Sequence, residues 1–250
     1  RNHKVCVVIL SDGRVSSLYH LHLFRFNLKM KLHLVLFPLY FLCLNFLHGA
    51  GRKVTIIHKQ GQFDCHTFRI PAMATTNKGT LLAVYDMRYR SRSDLQGHMD
   101  IGLSRSTDGG ETWARPIPIM DMKKFGGLPV DLNGCSDPNI LIDRKTGEIF
   151  VSAVWTHGKP NTHQWWGRGS EPGHSIHKSS QFMIVSSTDD GLTWSELGNW
   201  TKRLKDPTWH LFAPAPGNGI TLKDGTLVMP TQGRDAKGLP FSNLMWSGDN

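Results

Sequence analysis

The sequence predicts an all-β fold built from repeated four-stranded sheets, an arrangement typical of a β-propeller. A unit of short strands and Gly-centred turns recurs three times after residue 60, helical periodicity is almost absent, and two copies end in the pattern Ser-x-Asp-x-Gly-x-Thr-Trp. Radial repetition is one way to protect the edges of such sheets. The chain has 250 residues, and its 39% hydrophobic content, with 8 Trp and 12 Phe, is enough for a real core.

The N-terminal fifty residues are expected to lie outside the folded domain. Residues 1–29 precede Met30 and show no coherent pattern, so we expect them to be over-extended translation. Met30 and Lys31 are followed by a mostly apolar run and then by Gly49, which predicts a signal peptide over residues 30–50. An uncleaved membrane anchor is the alternative. The sequence therefore predicts an exported protein, secreted, periplasmic or held at the cell surface, whose domain occupies residues 51–250.

The three copies of the repeat follow one another along this domain. The first copy predicts strands at 81–85 and 101–104, the second at 139–142, 149–154 and 182–185, and the third at 219–222 and 226–229. The third copy then begins a further Ser-x-Asp turn at Ser247. Because a propeller needs at least about four blades to close, we expect this sequence to be the N-terminal part of a larger propeller, truncated after about three blades.

The two complete Ser-x-Asp turns carry residues with structural roles. Each aspartate can accept backbone N–H bonds within the turn, each glycine can take a positive φ, and each tryptophan can cover the base of the hairpin. These residues are Ser106, Asp108, Gly110 and Trp113 in the first turn, and Ser187, Asp189, Gly191 and Trp194 in the second. A calcium loop is an alternative, but the carboxylates are too few and the terminal Glu of an EF-hand is missing.

Strand alternation places a second set of polar residues at the opposite end of the sheets. In an up-and-down blade, the start of the first strand and the loop between the second and third strands lie at one end, and the Ser-x-Asp turns lie at the other. Arg69 and Asp137 open the innermost strands of units one and two. The loops add Arg88, Tyr89 and Asp94, then Trp155 to His177, then Gln232, Gly233 and Arg234. Arginines, carboxylates and aromatic groups at one mouth predict a site for a polar, anionic ligand such as an acidic sugar.

Charge and cysteine content argue against two other kinds of site. The formal charge is +9, but from residue 51 onward 23 Lys and Arg stand against 19 Asp and Glu, and no basic run with interleaved aromatics appears. We therefore expect no nucleic-acid partner. Cys65 and Cys135 are too few for a disulfide framework and lack metal-ligand spacing, as do the histidines between 157 and 177. We expect neither a metal nor a cofactor.

At these residues the sequence resembles the exo-α-sialidases, the neuraminidases of the non-viral, Asp-box type. The resemblance covers roughly residues 55–250. It rests on Phe68-Arg69-Ile70-Pro71, on Asp boxes at 106–113 and 187–194, on Arg88-Tyr89 with Asp94 six residues after Arg88, on Asp137-Pro138, and on the segment 212–220. An Asp box alone is a weak signal, because non-enzymatic propellers carry it. The arginine motif and the spaced Arg and Asp beside it are strong together.

The resemblance implies a six-bladed propeller and a carboxylate clamp. Arg69, with Ile70 beside it, is implied to be the first member of an arginine triad that grips the carboxylate of sialic acid. A guanidinium suits this role because it is permanently charged and can donate two parallel bonds to a carboxylate. Arg88 is implied to bind the sugar near that carboxylate.

The resemblance also implies the acid–base chemistry and leaves the nucleophile unassigned. Asp94 would be the general acid that protonates the leaving oxygen and then the base that activates water, and Asp137 would bind the O-4 or N-acetyl side. Gln232 is expected in the same pocket. Sialidases use a Tyr nucleophile, and none of Tyr19, Tyr40, Tyr85 and Tyr89 lies in a late blade. We expect the nucleophile to lie beyond Asn250, and the chain alone to have little or no hydrolytic activity.

Two function classes follow from the sequence. The first is a retaining exo-α-sialidase that hydrolyses terminal α-linked sialic acids of glycoconjugates and meets a membrane only if its apolar N-terminal segment stays uncleaved. The second is a non-enzymatic Asp-box propeller that binds glycans or protein partners. Arg69, Arg88 and Asp94 favour the enzyme, because a binding propeller has no need for an acid beside an arginine clamp. Trp165 and Trp166 are either core cover or a platform for a sugar.

Overall fold

The structure, a computed structural model, describes residues 54–95, 97–156 and 169–248. The segments predicted as over-extended translation (1–29) and signal peptide (30–50), and the Trp165-Trp166 pair, lie outside these ranges. The described part is almost entirely β-structure, with one short helix, α1, at Thr201–Leu204 and two 3-10 turns at Phe125–Gly127 and Val130–Leu132. The prediction of an all-β fold is confirmed.

The first sheet is a regular antiparallel four-stranded blade. It consists of β1 (Thr67–Thr75), β2 (Leu81–Arg88), β3 (Met99–Ser106) and β4 (Ile117–Met120), in that order. The predicted strand at 81–85 runs on to Arg88, because the alternation continues through Asp86 and both faces of β2 are buried. Arg88 is therefore the last residue of β2. The sequence had suggested that it belongs to the loop that follows.

The second sheet repeats this arrangement and takes one strand from the third unit. Its own strands are β5 (Cys135–Ile142), β6 (Ile149–Trp155), β7 (Gln181–Ser187) and β8 (Gly198–Asn199). The short strand β10 (Gly217–Asn218) adds to the free side of β5 in parallel. Trp155, predicted to belong to the mouth, is instead the last residue of β6 and is fully buried, and its Nε1 donates to Asn133 at 2.6 Å.

The innermost strand of the third unit starts earlier than the sequence pattern suggested. Strands β9 (Leu211–Pro214) and β11 (Ile220–Thr221) both pair with β12 (Leu227–Arg234), which pairs in turn with β13 (Pro240–Ser247). The predicted strand at 219–222 is only the second part of this inner edge. The proline residues at 214 and 216 and Gly217 interrupt the alternation, because proline cannot donate to a ladder and glycine favours irregular backbone.

The core lies between the first two sheets. Leu82 and Val84 of β2, Ile101 of β3, Ile140 of β5 and Val151 of β6 belong to one cluster whose members are almost completely buried. Each of these strands presents alternate apolar residues to the neighbouring sheet, which is the pairing of faces that stacked sheets require. The two sheets are therefore one packed unit.

The register confirms which ends of the strands lie together. Thr67 pairs with Arg88 across β1 and β2, and Leu81 pairs with Ser106 across β2 and β3. The start of β1 and the loop after β2 therefore share one end, and the first Asp box lies at the other. The three sheets of the described residues form no closed ring, so the six-blade count stays a prediction. Within the same residues, no helix is long and apolar enough to cross a bilayer.

Candidate active site

Two proline-containing bulges shape the mouth end of the inner strands. The ladder between β1 and β2 shifts register between Arg69 and Ala72, and the ladder between β5 and β6 shifts between Ser136 and Asn139. Ile70 (φ 52°) and Asp137 (φ 61°) take the left-handed conformation directly before a proline. The residue before proline avoids the right-handed helical region, and a non-glycine residue held at positive φ costs about 1–3 kcal/mol. The two sheets thus carry the same strained element at equivalent places.

Arg69 and Arg88 converge on one carboxylate. The Asp94 Oδ1 atom accepts from Arg69 Nη1 at 3.1 Å and from Arg88 Nη1 at 2.7 Å. Both guanidinium groups also donate to the Arg92 carbonyl oxygen, at 3.1 and 2.8 Å. The side chains of Arg69 and Asp94 are 40% and 36% exposed, whereas that of Arg88 is 1% exposed. Arg69 and Asp94 therefore face the solvent, and Arg88 supports them from below.

Asp137 faces the same cleft from the second sheet. Its Oδ2 accepts from Gln232 Nε2 at 3.2 Å, and Gln232 also donates to the Pro214 carbonyl oxygen at 3.2 Å. Burial raises the pKa of Asp137, while the bonds from Ser136 and Gln232 act in the opposite direction. Gln232 thus fixes the position of the Asp137 carboxylate, as well as lining the pocket itself.

A cleft of about 580 Å³ joins these residues. Such a volume lies within the range of small-molecule sites. Its walls come from all three sheets: Arg69, Ile70, Asp94, Asp137, Leu211, Pro216, Gln232, Gly233, Arg234, Pro240, Phe241 and Ser242. The predicted mouth residues Arg69, Ile70, Asp94, Asp137 and Gln232 are brought together in this cleft. Arg88 lies beneath it.

Sequence reasoning missed Asp86, the carboxylate beneath the cleft. Asp86 is fully buried, and its Oδ2 accepts from Arg88 Nε at 3.1 Å and from Arg88 Nη2 at 2.7 Å. A signal for it was present: Asp86 is a charged residue in an otherwise apolar strand, two positions before Arg88 and therefore on the same face of β2. Burial raises the pKa of Asp86, and Arg88 and the Ser136 hydroxyl partly offset that shift.

The tyrosines of the described residues do not line the cleft. Tyr85 is fully buried against Phe68 on the opposite face of β2, and its hydroxyl lies 2.7 Å from Ser104 Oγ. Tyr89 donates to Asp100 Oδ2 at 2.7 Å and stacks on His98, which agrees with a packing role. Tyr19 and Tyr40 lie outside the described residues.

The Asp boxes are structural hairpins at the end of the sheets that lies away from the cleft. Asp108 accepts from the Thr112 backbone N–H at 3.0 Å, and Asp189 accepts from that of Thr193 at 2.9 Å. Ser106 and Ser187 each accept from a backbone N–H four residues later, those of Gly110 and Gly191, both at 2.9 Å. Gly110 and Gly191 have positive φ, and Trp113 and Trp194 pack against the two main clusters of buried residues. The serine, aspartate and glycine of each box thus make their contacts within their own hairpin.

The histidines of the long loop before β7 lie only partly within the described residues. His157, His163 and Arg168 fall outside them, whereas His174 Nε2 lies 2.9 Å from the Lys205 carbonyl oxygen and His177 is exposed. Lys205 is buried and donates to carbonyl oxygens of Glu171 and Gly173, at 3.3 and 2.8 Å. These contacts fasten the described end of the loop to the segment after α1.

The arrangement suits an anion that reacts near a carboxylic acid. A half-exposed guanidinium can hold a planar carboxylate by charge-assisted bonds. Asp94 lies within hydrogen-bond distance of that guanidinium, so that a group bound to Arg69 lies close to a side chain able to give or take a proton. Across the cleft, Asp137 and Gln232 offer hydrogen-bond acceptors and donors for hydroxyl or amide groups of a ligand.

Comparison with known proteins places the chain in a family. Residues 70–250 match the model of the BNR repeat-like domain. The chain is 49% identical over 193 residues to a sialidase of Bacteroides fragilis, and 35% identical over 164 residues to a sialidase of Micromonospora viridifaciens. Among solved structures, the Hadza microbial sialidase Hz136 is 42% identical, with a TM-score of 0.75 over 78% of this chain and 39% of that one.

The matched region takes in most of this chain but only part of each relative. It takes in 77% of this chain and 35% of the Bacteroides protein, and 63% of this chain and 23% of the Micromonospora protein. The cleft residues Ile70 to Ser242 all lie within the matched range of the family model. The chain therefore belongs to the BNR repeat-like domain family.

Proposed function

We propose that this chain is the N-terminal part of the catalytic domain of a retaining exo-α-sialidase that removes terminal α-linked sialic acids from glycoconjugates. The observation that carries the proposal is the single carboxylate of Asp94 held by both Arg69 and Arg88 at the rim of the cleft. The sialidase names of the relatives support the substrate class. We further propose that the protein is exported through the segment 30–50.

Arg69 would bind the carboxylate of the sugar. Its guanidinium is permanently charged and its side chain is 40% exposed, so it can bind an anionic ligand without the full cost of burying a charge. In the structure, this guanidinium donates a hydrogen bond to Asp94 Oδ1 at 3.1 Å. A sugar carboxylate would compete for Arg69, and Asp94 would then be released toward the glycosidic oxygen.

Asp94 would act as the general acid and then as the general base. A carboxylic acid in this position protonates the leaving oxygen, and the resulting carboxylate activates a water molecule in the second step. The nucleophile of the first step would be a tyrosine, because a neutral phenol avoids the repulsion that a carboxylate would meet from an anionic substrate. That tyrosine and its partner glutamate would come from a part of the domain beyond this chain.

The roles of Asp94 and Arg69 predict different kinetic effects. In a full-length protein that contains this chain, Asp94→Ala is expected to lower kcat about 10²–10⁴-fold with little change in KM, since it removes a group that acts in proton transfer. Arg69→Lys is expected to raise KM and lower kcat together, because lysine cannot make the paired bonds of a guanidinium. Steady-state kinetics with a fluorogenic sialoside measure both effects.

The matched control is Asp224→Ala, which changes an exposed turn aspartate of the third sheet at the Asp-box end. This variant should keep wild-type kinetics. Near-wild-type values in both site variants would reject the assignment, and a wild-type protein that binds sialosides without cleaving them would favour the non-enzymatic propeller.

A further inference from the structure

A completely buried carboxylate joins the first two sheets under the floor of the cleft. Asp86 of β2 accepts four hydrogen bonds, two from Arg88 on its own strand and two from β5. The bonds from β5 come from the Ser136 hydroxyl, 3.0 Å from Oδ2, and from the Asp137 backbone N–H, 3.1 Å from Oδ1. One side chain thus contacts Arg88 of the first sheet and Ser136 and Asp137 of the second.

Stability alone does not explain an aspartate at this position. Leu82 and Val84, which precede it on the same face of β2, belong to the apolar core. Replacing a buried ion pair by packed apolar residues is often neutral or stabilising. The Asp86–Arg88 pair is nonetheless present, with both side chains at most 1% exposed. Its role is therefore better sought in the groups that it orients.

Asp86 fixes which edge of Arg88 faces the cleft. Arg88 directs Nε and Nη2 to Asp86, and this leaves Nη1 for Asp94 and for the Arg92 carbonyl oxygen. A guanidinium is a rigid plane, so that fixing two of its nitrogens fixes the third. The position of Asp94 thus depends, through Arg88, on a carboxylate that does not line the cleft.

Asp86 also holds the backbone of Asp137. The left-handed conformation of Asp137 (φ 61°) turns its N–H toward Asp86, and a strained backbone of this kind persists only where its surroundings hold it. The Ser136 hydroxyl lies within hydrogen-bond distance of both carboxylates, 3.0 Å from Asp86 and 3.1 Å from Asp137. The charge of Asp86 is therefore shared between two donors on β5 and the guanidinium on β2.

We propose that Asp86 is a positioning residue that sets Arg88 and Asp137 as one unit, so that one buried charge aligns the substrate-binding groups of two sheets. This role rests on the proposed sialidase function. Asp86 contacts no ligand itself, and its effect passes through the guanidinium of Arg88 and the backbone of Asp137.

The test is Asp86→Asn in a full-length protein that contains this chain. Asparagine keeps the shape of the side chain but replaces one carboxylate oxygen by an NH₂ group. The hydrogen bonds that this oxygen accepts, from Arg88 and Ser136 or from the Asp137 N–H, are then lost. We expect kcat/KM for a fluorogenic sialoside to fall at least tenfold, mainly through KM, with a cooperative melting transition retained. The matched control is Asp100→Asn, which changes another buried carboxylate of the first sheet, on the opposite face of its strands. Its kcat/KM should stay within twofold of the wild type.

A double-mutant cycle separates positioning from a general loss of structure. If Asp86 acts through Asp137, the variant Asp86→Asn/Asp137→Ala should lose much less than the product of the two single effects on kcat/KM. Independent effects that multiply would overturn the coupling to Asp137. If Asp86→Asn does not fold, Ser136→Ala decides: it removes one donor to Asp86 together with the hydroxyl's contact to Asp137, and it should raise KM without a change in melting temperature.

The two proposals fail in different ways. Sialidase activity in the wild type together with wild-type KM and kcat in Asp86→Asn, or in Ser136→Ala where that variant decides, overturns the positioning role alone. A well-folded wild type without sialidase activity overturns the proposed function, and the positioning role that rests on it then falls as well.

Discussion

Buried polar side chains of the first sheet divide between its two faces. Asp86 and Arg88 face the second sheet beneath the cleft, whereas His58 packs on the other face with Tyr85 and Ser104. His58 Nε2 lies 2.8 Å from both the Tyr85 hydroxyl and Ser104 Oγ, and its ring packs against Phe63 and Phe68. A hydrogen-bonded network closed within an apolar layer contributes to the fold without reaching the cleft.

His58 predicts a pH dependence of stability. Burial lowers its pKa from 6.5 to about 4. Between these values the unfolded chain takes up a proton that the folded protein does not, so the contribution of His58 is present above pH 6.5 and is lost as pH falls toward 4. His58→Gln should therefore show a shallower rise of unfolding free energy with pH over this window, measured by urea denaturation from pH 4.5 to 7.

The control for this residue is Tyr85→Phe, which removes one partner of His58 and keeps the imidazole. It should lower stability across the window while the slope with pH persists. A slope in His58→Gln equal to that of the wild type would show that the imidazole does not stay neutral in the folded protein.

At the scale of elements, the loop from β2 to β3 presents Asp94 and is anchored by its next residue. Leu95 is 1% exposed and packs with Met99, Val154, Leu211 and Ala213, which belong to all three units. Leu95 therefore fixes the backbone beside Asp94, so that the position of Asp94 depends on contacts with the second and third sheets.

Leu95→Ala is expected to reduce turnover as well as stability. Removing a buried leucine side chain costs about 2–5 kcal/mol, and the loop also loses the contact that places Asp94. In a full-length protein, kcat should fall at least tenfold with a smaller change in KM, since Arg69 is untouched. Leu103→Ala, which removes an equally buried leucine of β3 from the main core, should destabilise comparably with kcat near wild type. Equal kcat in the two variants would contradict the anchoring role.

At the scale of the whole molecule, the sheets are joined at both ends. At the Asp-box end, Asp190 of the second sheet pairs with Arg105 at 3.0 Å and accepts from Thr80 at 2.6 Å, both residues of the first unit. At the inner edge, Asn218 of the third unit donates to the Met73 carbonyl oxygen of β1. Leu244 and Trp246 of β13 are 58% and 73% exposed. The cleft thus has well-joined walls, while one face of the third sheet is open.

Residues 51–250 alone are expected to hydrolyse a fluorogenic sialoside little or not at all. The described cleft brings together Arg69, Asp94 and Asp137, but no tyrosine of the described residues lines it, and a sialidase needs that nucleophile. The measurement is fluorophore release by the purified chain, with a full-length protein as the positive control. Measurable turnover by the chain alone would contradict the prediction.

Local patterns were sufficient for much of the fold and part of the site. The Asp boxes are readable from the sequence because their bonds join residues at most four apart. The inner edge of the third sheet was predicted too short, because Pro214 and Gly217 interrupt the strand pattern there. The segment forms two short strands, β9, which pairs with β12, and β10, which pairs with β5. Asp86 was missed because its role depends on hydrogen bonds from Ser136 and Asp137. These residues lie far from it in the sequence, so no local pattern predicts the contact.

The sequence by itself determined the residue types and the ends of the strands at which they lie: the arginine motif at Arg69, the carboxylate of Asp94, and the Asp boxes at the opposite end. Alternation and turn chemistry act over a few residues, so they can be read directly along the chain. Only the tertiary structure decided that Asp86 lies under both Arg88 and Asp137, and that Gln232 meets Asp137 from ninety-five residues away. Those contacts arise from the packing of one sheet against another. Sequences with the same strand pattern can pack their sheets in different ways, so the pattern alone does not specify these contacts.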